Sequence, residues 1–305
     1  MAEAHPPPLT RCAIVAIIGA PNAGKSTLVN RLVGEKVAIV THKVQTTRAP
    51  LRGIAMRGDV QLVLVDTPGV FQPKRRLDRA MVQAAWGQAG DADLVVHVVD
   101  ALRTRDGEED AIRARLLESK RPAILALNKV DAAAKPALLA LAQAMTQHGP
   151  YTDVFMISAA NGSGVEDLAA HLVAHAPAGP WLFPEDQATD APLRVMAAEI
   201  TREKLMLRLH EELPYEATVE TESWEERKDG SARVDQTIYV ARESQRKIAI
   251  GDKGSVVKAI GQAARKELEA LLERRVHLFL HVKVRENWAE ERARLQAMGL
   301  DDGMV

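Results

Sequence analysis

Ala13-Ile14-Val15-Ala16-Ile17-Ile18-Gly19-Ala20-Pro21-Asn22-Ala23-Gly24-Lys25-Ser26 is the stretch that decides the fold of the first half of this chain. Six consecutive apolar residues read as a strand buried on both faces. A glycine-rich turn follows, and a helical pattern runs over Lys25-Val33. The spacing G-x-x-x-x-G-K-S between a strand and a helix is the context in which backbone N–H groups cradle phosphate oxygens, helped by the positive end of the helix. Glycine is required because the backbone approaches the phosphates with no Cβ in the way. The candidate phosphate-binding residues are Gly19, Asn22, Ala23, Gly24, Lys25, Ser26 and Thr27. Lys25 would bridge the β- and γ-phosphates of a nucleotide, and Ser26 would give an oxygen to Mg²⁺.

Outward from this turn, apolar runs alternate with helical patterns. The runs are Val60-Val65, Leu94-Val99, Ala123-Leu127 and Val154-Ile157; the helical stretches are Leu77-Trp86, Glu108-Ser119, Pro136-His148 and Val165-His175. Such alternation predicts an α/β domain over 11–176 with a doubly wound, mostly parallel sheet. Prolines and acids crowd Pro177-Pro192, which reads as a linker over 177–192. Beyond it the pattern changes to helix, hairpin around Asp229-Gly230, helix, strand, helix, an α+β domain over 193–300.

Three further motifs each end an apolar run. Asp66-Thr67-Pro68-Gly69 puts a carboxylate in reach of Mg²⁺, with the Gly69 amide for the γ-phosphate. Asn128-Lys129-Val130-Asp131 supplies Asp131 as acceptor for the guanine N1–H and exocyclic amine, which adenine cannot match. Asn128 and the stem of Lys129 would hold the base and brace the first turn. Ser158-Ala159-Ala160 offers a backbone amide to guanine O6. Singly each is a loop fragment; in this order, at strand ends, they specify GTP/GDP.

The set resembles the translation-factor-related class of P-loop GTPases. That resemblance implies a switch I over Val40-Ala49 with the effector motif Gln45, Thr46, Thr47 and Arg48, and makes Thr47 (Thr46 second) a Mg²⁺ ligand in the GTP state. Where many GTPases carry a glutamine to orient water, this chain has Val70 followed by Phe71, so slow intrinsic hydrolysis is expected. Asn22 occupies the position of asparagine in potassium-stimulated relatives, implying a K⁺ near the phosphates; a turn-fixing role explains Asn22 equally well.

In the second domain, Ile250, Gly251, Asp252, Lys253 and Gly254 carry a G-x-x-G pattern, with Lys258 and Arg265 on the following helix. This resembles the core of a type II KH domain, whose G-x-x-G loop clamps single-stranded RNA. From Arg242 to Arg285 there are eleven lysines and arginines against five acids; from Glu199 to Asp229, five against ten. A basic half is thus set apart from an acidic half. Aromatic stacking platforms are few: Trp224, Tyr239, Phe279 and Trp288 are the candidates, most of them better suited to the core.

GTPase motifs joined to a C-terminal KH module resemble the Era family of GTPases across nearly the whole chain, including Phe183-Pro184-Glu185-Asp186 and Trp288-Ala289-Glu290-Glu291-Arg292. The resemblance implies a monomeric, cytoplasmic ribosome-assembly factor that binds the 3′ end of small-subunit ribosomal RNA and the small ribosomal subunit, with weak peripheral association with the inner membrane. The competing reading is a GTP/GDP-sensing interaction module in which hydrolysis is incidental.

Composition bounds these readings. With 305 residues, 47% hydrophobic and 27% charged, the chain has room for two cores. A net charge of −1 means that any polyanion site must be local, and the single Cys12 excludes an internal disulfide. Residues 1–10, with Pro6-Pro7-Pro8 and no cationic start before an apolar run, read as a disordered arm rather than a signal peptide.

Overall fold

The computed structural model describes residues 10–103, 107–147 and 149–300; the arm expected over 1–10 lies, up to residue 9, outside them. Contacts divide the chain into two units, the second made of Ala191 onward together with Ile39–Thr46 and Arg75–Leu77.

The first unit is a six-stranded sheet in the order β2-β3-β1-β4-β5-β6, formed by β1 (Arg11–Ile18), β2 (Leu51–Arg57), β3 (Val60–Asp66), β4 (Leu94–Asp100), β5 (Ala123–Asn128) and β6 (Tyr151–Met156). Five strands run parallel, and β2 pairs antiparallel with β3. Strand β1 shows why a continuous apolar run is needed. Ala13, Val15 and Ile17 face one layer, with Leu28, Val29 and Leu32 of α1 (Lys25–Val33) and Leu168 and Leu172 of the helix Val165–Ala174. Ala16 and Ile18 face the other, with residues of α2 (Arg76–Asp91) and α3 (Gly107–Glu118). A further helix, α4 (Lys135–Thr146), packs Leu138, Leu141 and Met145 on β5; the helix Val165–Ala174 is α5. Leaving the sheet at its C-terminal edge, the chain reverses between β1 and β3, the crevice where open α/β sheets bind ligands.

Two features differ from the sequence reading. β2 was not anticipated. Gly53 in its middle weakens the strand signal, yet a Cβ there would lie 2.7 Å from Val33 Cγ2 and 3.1 Å from Val29 Cγ1, so glycine lets the strand lie against α1. The expected linker is, over 177–190, part of the first unit. Gln61, fully buried in β3, accepts from the Leu182 and Phe183 amides and donates to the Phe183 carbonyl at 2.8 to 3.0 Å. The Ile54 amide donates to the Ala188 carbonyl and Trp181 Nε1 to the Asp59 carbonyl.

In the second unit, α6 (Leu193–Arg208), β7 (Ala217–Glu226), β8 (Ala232–Val240), α7 (Glu243–Ile250), α8 (Ser255–Leu272), β9 (Val276–Val284) and α9 (Arg292–Ala297) build a sheet in the order β7-β8-β9. β7 and β8 are antiparallel; β8 and β9 are parallel. Val234, Ile238 and Val240 on β8, with Leu278, Leu280 and Val282 on β9, pack with residues of α6, α7 and α8. The alternate residues, Arg233, Asp235, His277, Phe279 and His281 among them, occupy the opposite face. After β9 comes a short 3-10 turn, Trp288–Glu290, followed by α9. Among the described residues no helix is long and apolar enough to cross a membrane.

Candidate functional sites

The turn after β1 is held by contacts that only glycine permits. Gly19 has φ 152°, and a Cβ there would stand 2.3 Å from the Val98 carbonyl oxygen of β4. Gly24, at φ 97°, opens α1, and its Cβ would meet Asn128 Nδ2 at 2.2 Å. Lys25 is 6% exposed; its Nζ donates to the carbonyls of Gly19 (3.0 Å) and Ala20 (2.9 Å), closing the turn around the ammonium. Burial pushes the Lys25 ammonium down to about 8, opposed most by the Asp66 carboxylate. Negative charge arriving in the cradle would favour the charged form further, which suits the lysine to a polyanionic group. Asn22 holds a left-handed φ of 64° within the turn.

Ser26, Thr47 and Asp66 come together as a triangle of oxygens. Ser26 Oγ donates to Asp66 Oδ2 at 2.7 Å, Thr47 Oγ1 donates to the same oxygen at 3.0 Å, and the two hydroxyls are 2.9 Å apart. Asp66 Oδ1 is buried with no hydrogen-bond partner among the described residues. Burial pushes this carboxyl up, opposed by the Ser26 hydroxyl, Lys25 and the Thr47 hydroxyl. Two hydroxyls and a carboxylate with an unsatisfied oxygen form the all-oxygen donor set that Mg²⁺ prefers, so these residues fit the ion. Thr46 is not brought in: its hydroxyl lies 2.6 Å from Thr41 Oγ1 and donates to the Lys43 carbonyl. Of the remaining effector motif, Gln45 holds a φ of 55° and Arg48 is buried.

Gly69 lies against the turn, where a Cβ would be 2.9 Å from Pro21 Cα. The Val70 amide donates to the Gly19 carbonyl at 3.0 Å, and its side chain, 7% exposed, joins the core with Ala16, Ile18 and Ala20. Val70 is therefore a packing residue.

Asn128 ties the base-side loops together. Its Nδ2 donates to the Ala23 carbonyl at 2.7 Å and its Oδ1 accepts from the Ala159 amide at 2.9 Å. The Ala159 amide is thus held by the Asn128 side chain. Ser158 is buried and receives the Asn161 amide. Asp131 is exposed at the turn Val130–Ala132, free to accept from a ligand. Two residues that sequence reasoning missed complete the frame. Asp100, at the end of β4, accepts from Lys129 Nζ at 2.6 Å and so lays the lysine stem along the site. Arg31 of α1 donates to the carbonyls of Ala159 and Ala160. A carboxylate ending an apolar strand, as in Asp66, is the signal that could have found Asp100.

In the second unit, Gly251 and Gly254 bracket a turn with φ values of 74° and 80°. A Cβ on Gly251 would lie 2.4 Å from Val256 Cγ2, whereas Gly254 faces open space. Asp252 and Lys253 are exposed at its tip, and Ile250 is half-buried before it. Beside this turn lies a cleft of about 380 Å³ between α8 and β9. Lys258 and Arg265, two helical turns apart, line it with Gln262, His277 and Phe279; the turn residues themselves do not. No acid lines it. Of the four aromatic candidates, Trp288 and Tyr239 are buried and Trp224 packs on the core, but Phe279 is 44% exposed.

Comparison with known proteins follows the same division. The 50S ribosome-binding GTPase family matches residues 14–129, and the KH domain family matches residues 212–289. The GTPase Era of Brucella suis biovar 1 (strain 1330) is 61% identical, covering 96% of this chain and 94% of its own length. That of Caulobacter vibrioides (strain NA1000 / CB15N) is 59% identical, covering 96% and 97%. Among solved structures, Era in complex with MgGDPNP and nucleotides 1506–1542 of 16S ribosomal RNA superposes with a TM-score of 0.90 at 35% identity, covering 95% of this chain and 99% of that one. A single-site variant of Aquifex aeolicus Era bound to GDP·AlF4⁻ gives 0.89 at 35% identity, with the same coverage. The chain belongs to the Era family of GTPases.

Proposed function

We propose that this protein is a GTP-hydrolysing switch that binds the 3′ end of small-subunit ribosomal RNA and assists assembly of the small ribosomal subunit. The observation that carries the RNA half is the acid-free cleft with Lys258 and Arg265 beside the G-x-x-G turn; a relative of the same fold holds nucleotides 1506–1542 of 16S ribosomal RNA. In the nucleotide half, Lys25 neutralises charge between the β- and γ-phosphates, and the Gly69 amide donates to the γ-phosphate. Asp131 and a backbone amide of Ser158-Ala159-Ala160 read guanine. Ser26, Thr47 and Asp66 would hold Mg²⁺, which supplies Lewis-acid neutralisation of the phosphate oxygens when bound. Thr47 gives the switch its two states, since it can leave the Ser26 and Asp66 oxygens when the γ-phosphate is lost.

Val70 cannot aim a water, so the rate must come from elsewhere. We assign part of it to K⁺ held near Asn22, the role that an arginine finger plays in other GTPases. Turnover in K⁺ buffer should exceed that in Na⁺ buffer, and equal rates would remove K⁺ from the account. The reading gives a cytoplasmic monomer working on the small subunit, with peripheral contact at the inner membrane secondary to it. A buried Val70 also favours a second reading, a GTP/GDP sensor that recruits partners with hydrolysis incidental. Titrating the full chain with an RNA matching nucleotides 1506–1542 tests the main one: binding that weakens when GDP replaces a non-hydrolysable GTP analogue is expected, and nucleotide-independent binding would favour the sensor.

A further inference from the structure

β9 is the edge strand of its sheet, and edge strands are ordinarily guarded by charge rather than by exposed rings. Phe279 breaks that pattern: its side chain stands in solvent at the rim of the α8–β9 cleft. The ring is not isolated. Arg233 on the neighbouring strand places its guanidinium carbon 4.9 Å from the ring centroid. Asp235, directly opposite Phe279 in the ladder, fixes that guanidinium through Nε at 2.9 Å and a second nitrogen at 3.3 Å, and Ser223 Oγ donates to the same carboxylate at 3.1 Å. A phenyl ring and a planar cation, both substantially exposed, are thus held side by side, with Asp235 bound to the cation and Glu225 opposite it on β7.

We propose that Phe279, with Arg233 clamped beside it, is a stacking platform for a nucleobase of a single-stranded RNA that passes through the α8–β9 cleft and turns over the edge of β9. The inference rests on the RNA reading above and goes beyond the G-x-x-G clamp, which contacts backbone. Nucleobases stack on aromatic rings and on guanidinium planes alike, and the contact tolerates any base because every base has a π-face. Charge fixes the occupant. The cleft that leads to the ring presents Lys258 and Arg265 and no carboxylate, so an anionic strand is drawn along α8 until its bases reach the ring. The site is closely fitted on its floor, where Gly261 leaves only 3.2 Å between a would-be Cβ and Leu280 Cδ1.

The test is a fluorescence-anisotropy titration of the full-length protein, loaded with a non-hydrolysable GTP analogue, against a labelled RNA matching nucleotides 1506–1542 of 16S ribosomal RNA. Phe279→Ala and Phe279→Leu should each weaken binding by about fivefold or more, and Phe279→Trp should stay within about twofold of the parent, because stacking needs the ring rather than apolar bulk. The slope of log affinity against log salt should be unchanged in all three, since no phosphate contact is lost, while Lys258→Ala lowers it by about one. Far-UV circular dichroism and melting temperature confirm that the exposed substitutions leave the fold intact. Binding by Phe279→Ala within about twofold of the parent, while Lys258→Ala weakens, would overturn the platform and leave the cleft. So would a loss of self-association in sedimentation with RNA affinity unchanged, which would make the β9 edge a contact between copies. A parent protein that binds no RNA would overturn both readings together.

Discussion

Two loops in this molecule solve one problem in opposite ways. Each carries a left-handed glycine with no side-chain cap directly into a helix N-terminus, Gly24 before α1 and Gly254 before α8. Around Gly24 the protein closes: Asn128 occupies the space of a Cβ, and the next residue, Lys25, is buried against two carbonyls. Around Gly254 it stays open, with nothing within 4 Å of a would-be Cβ and an exposed Lys253 beside it. A buried, cross-braced loop can grip a compact ligand whose every oxygen matters. An open loop suits a long strand that needs only local access to its backbone. The same backbone chemistry yields high selectivity in one place and tolerance in the other, because desolvation multiplies electrostatic interactions only where water is excluded.

Alanine at the two kinds of glycine should separate the two loops by the largest effect. Gly19→Ala drives a Cβ into the Val98 carbonyl and should cost about 3–5 kcal/mol of stability along with nucleotide binding, whereas Gly254→Ala should cost only about 1–2 kcal/mol from its left-handed φ. Denaturant unfolding of both measures the gap. Next in size, Asp131→Ala removes an acceptor for two guanine donors and should weaken GTP by about 2–4 kcal/mol with little change in stability, read by calorimetric titration. Val70→Gln is expected to bring no acceleration of hydrolysis: an amide in the core of Ala16 and Ile18 should instead lower stability by about 1–3 kcal/mol. The smallest effect belongs to the open loop, where Lys253→Ala should weaken RNA binding by about two- to fivefold at low salt and less at high salt, the mark of a solvated charge.

How much of this could be read in the sequence follows the same contrast. The sheet that frames the closed loop was readable, because buried parallel strands write continuous apolar runs and each motif sits where a run ends. What escaped were residues acting across the fold. Asp100 holds Lys129 from another strand, and Arg31 reaches the carbonyls after β6 from α1. Gln61 is a polar residue within an apolar strand, and it captures the segment 177–190. Gly53 is a residue type that weakens strands, and it makes room for α1. Composition marks what a segment can form and is silent on what it will meet. Phe279 shows this at the open site, where only the structure separates it from the buried Trp288.

A GTP clock read out by RNA would couple the two loops, and single-turnover GTP hydrolysis by the full chain in K⁺ and Mg²⁺, with and without the RNA matching nucleotides 1506–1542, decides whether they are coupled. The RNA should change the hydrolysis rate or the nucleotide affinity by several-fold, and Lys258→Ala should diminish the effect. Identical rates and affinities with and without an RNA that demonstrably binds would contradict the coupling.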